Sequence, residues 1–113
     1  LLALAASGLN GQHFTFHGYL PVKPAESRTA IKKLESEAQR TGGAQLFIET
    51  PYRNDSMLKD LLDLCAADTS LTLAVDLTQP GGSCITRSVA SWKRSIPSLG
   101  KRPTVFIIGP AQR

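Results

Sequence analysis

The sequence lacks the short motifs that place many enzymes in a class at once. Its 113 residues contain no GxGxxG, P-loop or HExxH pattern, which excludes those dinucleotide, nucleoside-triphosphate and zinc-protease signatures within them. No apolar run approaches the roughly 20 residues of a membrane-spanning helix. We therefore expect no membrane association, and the length favours a single domain with a modest core of its own.

Cysteine and histidine are too scarce to suggest a metal site. Cys65 and Cys84 form no CxxC pair, and His13 and His17 have no cysteine or carboxylate at a suitable spacing to complete a ligand set. We predict that no metal is bound. Reduced thiols in a small domain are typical of the cytoplasm, so a cytoplasmic location is expected.

Acidic residues are missing from the last third of the chain. Residues 1–76 hold seven basic and nine acidic side chains, a balance of −2, whereas residues 77–113 hold six basic side chains and no acidic one, a balance of +6. A basic surface of this kind can bind a polyanion such as RNA. An ordinary solvated surface is the favoured interpretation, because no aromatic ladder accompanies the charges.

Hydrophobic periodicity predicts strands and helices in alternation. The expected class is α/β, with a mixed, partly antiparallel five-stranded sheet flanked by helices in the order β-α-β-α-β-β-α-β. Glycine and proline residues mark most of the boundaries. The predicted strands cover 13–20, 44–49, 71–76, 83–87 and 104–109, and the predicted helices cover 24–41, 50–66 and 89–95.

Three local patterns give more detailed expectations. Phe14, Phe16 and Leu20 fall on one face of the first strand, opposite His13, Thr15 and His17, which predicts a half-buried strand with those three side chains on its buried face. Thr50 precedes Pro51, which predicts that the threonine side chain caps the second helix. The continuously apolar run 104–109 predicts a central strand.

The segment from Glu49 to Arg53 is the best candidate site on physical grounds. A carboxylate follows an apolar strand, and a helix begins at once, which is where ligands bind in open α/β sheets. Amides at the helix start and the Arg53 guanidinium can face an anionic group. Residues 76–78 form a second strand end that can line the same cleft. The alternative is a plain helix cap beside a surface arginine.

Four segments of the chain match one known pattern: residues 7–9, 14–21, 48–53 and 74–79. Together they resemble the C-terminal domain of the tetrapyrrole methylase family, and in particular the branch that 2′-O-methylates a cytidine of small-subunit ribosomal RNA. The branch has SGL followed by F-x-F-x-G-[FY]-L-P, which residues 7–9 and 14–21 match. Its Y-E-S-P-H-R pattern is matched by residues 48–53, and A-R-E-L-T-K by residues 74–79.

The resemblance implies half of a two-domain enzyme that binds S-adenosylmethionine between its domains. The N-terminal domain, which holds most of the cofactor, would be the partner of this chain, and residues 1–9 would end the helix between the two. The cofactor-binding residues implied here are Glu49, Thr50, Leu77 and Thr78, mainly through their main chain. The residues implied on the substrate side are Tyr19, Pro21, Lys23, Tyr52 and Arg53.

Departures from the branch pattern leave the substrate open. Val75 and Gln79 replace its arginine and lysine, and the acidic segment that normally follows is replaced by residues 80–83, which carry no carboxylate. The substrate can be a ribosomal RNA or a tetrapyrrole. No catalytic residue is identified in the sequence. The family resemblance also suggests a homodimer. Two hypotheses result: a methyltransferase half that is inactive alone, or a catalytically lapsed RNA-binding or scaffold module.

Overall fold

The computed structural model describes residues 13–111, which form a five-stranded sheet with three helices. The α/β class and the order β-α-β-α-β-β-α-β are confirmed. The expected end of an interdomain helix at residues 1–9, including the matched residues 7–9, lies outside the described part of the chain. The elements are β1 (Phe14–Tyr19), α1 (Pro24–Thr41), β2 (Ala44–Ile48), a 3-10 turn (Pro51–Arg53), α2 (Asn54–Leu64), β3 (Thr69–Val75), β4 (Ser83–Ser88), α3 (Val89–Arg94) and β5 (Thr104–Ala111).

The strands lie in the order β1-β2-β5-β3-β4. The strands β1 and β2 are parallel, whereas β5 runs antiparallel to both of its neighbours, β2 and β3. The apolar run at the end of the chain therefore forms the central strand, as predicted. Because β1, β2 and β3 point the same way, their carboxyl ends and the start of β5 meet at one edge of the sheet.

The main core lies between the sheet and the helices. The three described helices all contribute to one cluster of buried side chains, in which the Phe47 and Phe106 rings stack with their centroids 5.3 Å apart. Burying side chains of this size contributes about 1.5–3 kcal/mol each to folding. A smaller cluster on the opposite face of the sheet comprises Ala44, Leu46, Ala74 and Ile107.

The first strand corrects one expectation. Phe14 and Phe16 are 39% and 57% exposed, so the prediction was wrong for both rings, whereas Leu20 is buried in the main core as predicted. The reason is topological: β1 is an edge strand, and its register with β2 places the two rings on the face opposite the helices. Gly18 has a left-handed φ of 65°, and the register shifts between Phe16 and Tyr19.

The boundaries of the first two helices depend on residues at the helix ends themselves. Helix α1 begins at Pro24, where the missing amide proton costs nothing, and ends at Gly42, whose φ is 73° and whose amide donates to the Ala38 carbonyl. Helix α2 ends at Leu64, two residues before the expected end. Within residues 13–111, neither of these helices nor α3 is long and apolar enough to cross a membrane.

Candidate ligand-binding cleft

A cavity of about 550 Å³ opens at the edge where β1, β2 and β3 end and β5 begins. Its position fits the general rule that ligands of α/β sheets bind beyond the carboxyl ends of the strands. Each of these strand ends contributes to the wall. The residues predicted from the sequence that line it are Tyr19, Glu49, Leu77 and Thr78.

The first wall follows β2 and is organised by Glu49. This residue is 8% exposed, and its Oε1 accepts the Thr50 amide at 2.8 Å. The Thr50 side chain makes no capping bond; its hydroxyl lies 3.5 Å from the same carboxylate oxygen. The predicted threonine cap is therefore wrong: the chain forms a 3-10 turn here, and the Arg53 amide donates to the Thr50 main-chain carbonyl at 2.9 Å instead of to the side chain.

Arg53 faces the protein as well as solvent. Its Nε lies 3.9 Å from Glu49 Oε2, and its Nη2 donates a long hydrogen bond of 3.4 Å to the Val22 carbonyl. The guanidinium thus bridges the turn after β2 to the loop after β1. An anion would have to compete with these partners.

The second wall is the loop that follows β3. Asp76 has a left-handed φ of 51°, its amide donates to the Pro103 carbonyl at 2.9 Å, and its carbonyl accepts the Gln79 amide at 2.8 Å. Gly82 then donates to the Gln79 carbonyl at 2.9 Å. Two consecutive turns therefore hold the loop in one shape. The amides of Leu77 and Thr78 donate to no other residue in the described part of the chain.

A third wall comes from a segment that sequence patterns did not indicate. Pro103 and Thr104, at the start of β5, line the cavity beside the β2 and β3 ends. The loop before them is held by α2: Asn54 donates to the Arg102 carbonyl at 2.8 Å, and Asp55 accepts the Leu99 amide at 2.7 Å. Contacts between residues more than 40 positions apart leave no periodic signal in the sequence.

The remaining predicted residues lie beside the cavity or away from it. Thr50 is half-buried and turned toward Glu49, and Arg53 is engaged as described. Pro21, Lys23 and Tyr52 are exposed and do not line the cavity. Tyr19, which does line it, is 61% exposed.

A larger groove of about 690 Å³ lies elsewhere, between α2 and the segment after α3. Leu58 and Leu62 contribute to its floor, and Ile96 to its rim. Helices rather than strand ends form this groove. We place the candidate site at the strand ends, because three chain segments of different origin converge there.

Three of the described basic residues after position 76 can be placed by their contacts. The Arg87 guanidinium lies 4.8 Å from the centre of the Trp92 ring, and Arg102 donates to the carbonyls of Leu99 and Ser98. Lys93 lines the helical groove. Arg87 and Arg102 thus interact within the protein, whereas Lys93 lies at a groove away from the strand-end cavity.

Sequence comparison relates the chain to ribosomal RNA methyltransferases. No protein-family model matches it. The ribosomal RNA small subunit methyltransferase I of Vibrio cholerae is 33% identical over 79 residues, which cover 70% of this chain and 26% of that protein. The protein of the same name from Neisseria meningitidis serogroup B is 27% identical over 115 residues, with 99% and 38% coverage. The chain thus spans well under half the length of these curated relatives.

Structural comparison finds the same fold in a solved structure. The crystal structure of the methyltransferase CobJ aligns with a TM-score of 0.61 and 23% sequence identity, covering 99% of this chain and 48% of that one. At this level of identity the likeness shows a shared fold.

Proposed function

The chain belongs to the tetrapyrrole methylase family, and we propose that it forms the C-terminal domain of an S-adenosylmethionine-dependent methyltransferase. In this role it supplies one wall of a cleft that holds the cofactor and the substrate, and an N-terminal domain supplies the other. The observation that carries the proposal is the cavity of about 550 Å³ at the converging strand ends.

The residues at this wall fit the cofactor in two ways. Leu77, Pro103 and Val105 offer apolar surface to a flat adenosine, and the amides of Leu77 and Thr78 remain free within the described residues. Main-chain contacts at residues 77–78 are therefore the centre of the proposed cofactor site. Glu49 and Thr50 contribute by shaping the opposite wall, because the Thr50 amide is already bound to the Glu49 carboxylate.

The substrate side is assigned to the exposed rim next to the cavity. Tyr19 and Tyr52 are 61% and 74% exposed, and Lys23 is exposed beside Pro21. An aromatic ring can stack on a nucleobase or on a tetrapyrrole, so this rim suits either substrate. Methyl transfer requires in-line alignment of the acceptor with the sulfonium, so positioning accounts for much of the proposed rate.

The alternative of a lapsed RNA-binding module is not favoured. It rested on the +6 balance of residues 77–113 and on the altered loop at residues 79–83, but Arg87 and Arg102 already interact within the protein. A homodimer and a cytoplasmic location remain parts of the proposal, as does the inactivity of this domain when it is separated from its N-terminal partner.

Calorimetric titration with S-adenosylmethionine tests the proposal. The full-length protein should bind the cofactor, whereas residues 1–113 alone should bind it weakly or not at all. In the full-length protein, Leu77→Arg should remove binding by filling the cavity.

Ile96→Arg is the matched control, since Ile96 is an exposed apolar residue (62%) outside the cavity. Thermal unfolding of both variants separates blocked binding from loss of the fold. Tight binding by residues 1–113 alone would contradict a cleft divided between two domains, and unchanged binding by Leu77→Arg would remove the cavity from the site.

A further inference from the structure

The cavity has an unusual distribution of charge for a basic protein. The chain carries a net charge of +4, yet the described residues that line the cavity include two carboxylates, Glu49 and Asp76, and no lysine, arginine or histidine. A low-dielectric cleft of one sign attracts groups of the opposite sign. The cavity wall therefore favours a cationic group over an anionic one.

The two carboxylates differ in their availability. The Glu49 side chain is 4% exposed and already interacts with the Thr50 amide and Arg53. Asp76 is half-buried, and its side chain makes no hydrogen bond or ion pair with another residue between positions 13 and 111. Only the second carboxylate retains its full capacity to accept hydrogen bonds from a ligand.

The backbone of Asp76 adopts a conformation that is slightly unfavourable for a residue other than glycine. Its φ of 51° is the only positive φ among non-glycine residues in the described part of the chain, and such a conformation in a non-glycine residue is often found at functional sites. The strain is small for aspartate, which tolerates the left-handed region better than most residues. Hydrogen bonds to Pro103 and Gln79 hold the residue there, at the end of β3.

We propose that the Asp76 carboxylate is a recognition group for a positively charged part of the ligand in this cavity. The inference rests on the proposed function, in which the ligand is S-adenosylmethionine. That cofactor carries two cationic groups, the sulfonium and the amino-acid ammonium. A carboxylate at the cavity wall interacts favourably with either of them and unfavourably with a phosphate-rich competitor.

The test compares ligand binding by the full-length protein and by Asp76→Asn. Asparagine keeps the size of the side chain and its tolerance of a left-handed backbone, so the substitution removes the charge and one acceptor oxygen without changing the shape. Loss of a charge-assisted contact at a half-buried site should weaken S-adenosylmethionine binding roughly tenfold. The conservative control is Asp63→Asn, at an exposed position of α2 outside this cavity, which should bind within about twofold of the wild type.

S-adenosylhomocysteine identifies which cation is recognised. It keeps the ammonium and lacks the sulfonium charge, so equal weakening of both ligands by Asp76→Asn assigns the carboxylate to the ammonium. Weakening of S-adenosylmethionine alone assigns it to the sulfonium. Asp76→Gly, which relieves the backbone strain and also lacks the carboxylate, should lose as much affinity as Asp76→Asn.

The outcomes separate this inference from the function on which it rests. A wild-type protein that binds neither ligand overturns the proposed function and the role of Asp76 together. A wild-type protein that binds S-adenosylmethionine, with Asp76→Asn and Asp76→Gly binding equally well, overturns the role of Asp76 and leaves the proposed function standing. Thermal unfolding confirms that each variant is folded at the titration temperature.

Discussion

Glu35 should be among the most sensitive polar positions of the fold. It lies on α1 and is 7% exposed, and its Oε2 accepts the Ala66 amide and the Thr69 hydroxyl, both at 2.6 Å. Lys32 donates to Oε1 at 3.0 Å. The carboxylate therefore ties α1 to the turn through which α2 leads into β3, and so to the strand that ends at the cavity.

The magnitude follows from what each substitution leaves without a partner. Glu35→Ala removes the acceptor of the Ala66 amide and leaves the buried Thr69 hydroxyl without its carboxylate partner. We expect a loss of about 2–4 kcal/mol in the free energy of unfolding. Glu35→Gln keeps one carbonyl oxygen for those two donors but loses the charge and turns an amide group toward Lys32. We expect Glu35→Gln to lower the free energy of unfolding by about 1–3 kcal/mol. Loss of the ion pair with Lys32 should contribute little to this, because the Lys32 side chain is 55% exposed.

Urea unfolding at about pH 7 measures these losses. Glu37→Gln is the matched control, because Glu37 lies on the same helix and forms an exposed ion pair with Arg40. Such pairs contribute about 0–1 kcal/mol. If Glu35→Gln and Glu37→Gln lowered the unfolding free energy equally, the buried network would have no special role in stability.

The same carboxyl should make stability depend on pH. Burial raises the pKa of Glu35, but the hydrogen bonds from Thr69, Ala66 and Lys32 outweigh it, and the folded-state pKa lies below the ordinary value of 4.5. The unfolded chain then binds the proton more readily, so this contribution is fully present above about pH 4.5 and is lost as the pH falls through the lowered pKa. The difference between wild type and Glu35→Gln should shrink in acid; a constant difference would refute the linkage.

Two further predictions concern a thiol and a turn. Burial, together with Glu35, raises the pKa of Cys65 to about 12. At neutral pH Cys65 should therefore react with iodoacetamide only after unfolding. Mass spectrometry of native and denatured protein measures the labelling, and rapid labelling of native Cys65 would contradict the prediction. A Cβ at Gly82 would overlap the Asp76 carbonyl, whereas one at Gly81 meets nothing within 4 Å. Gly82→Ala should therefore cost about 1–3 kcal/mol and weaken cofactor binding, with Gly81→Ala as the control; equal melting temperatures would exclude the clash.

The sequence by itself determined the order of the strands and helices and the two strand ends that carry the family resemblance. Helix α1 has the predicted bounds because Pro24 and Gly42 act through their own backbone restrictions, which need no distant partner. The apolar run that forms β5 predicted the central strand, because a strand that is buried on both faces has a continuous hydrophobic pattern.

Only the tertiary structure decided how these pieces meet. The edge position of β1 exposes Phe14 and Phe16, although their alternation is that of a half-buried strand. The Thr50 side chain does not cap the second helix, because a 3-10 turn places the Arg53 amide against the Thr50 carbonyl. The third wall at Pro103 and the availability of Asp76 arise from pairing between residues far apart in the chain. Periodicity cannot encode such pairings, because it records which face a residue occupies and not what lies opposite.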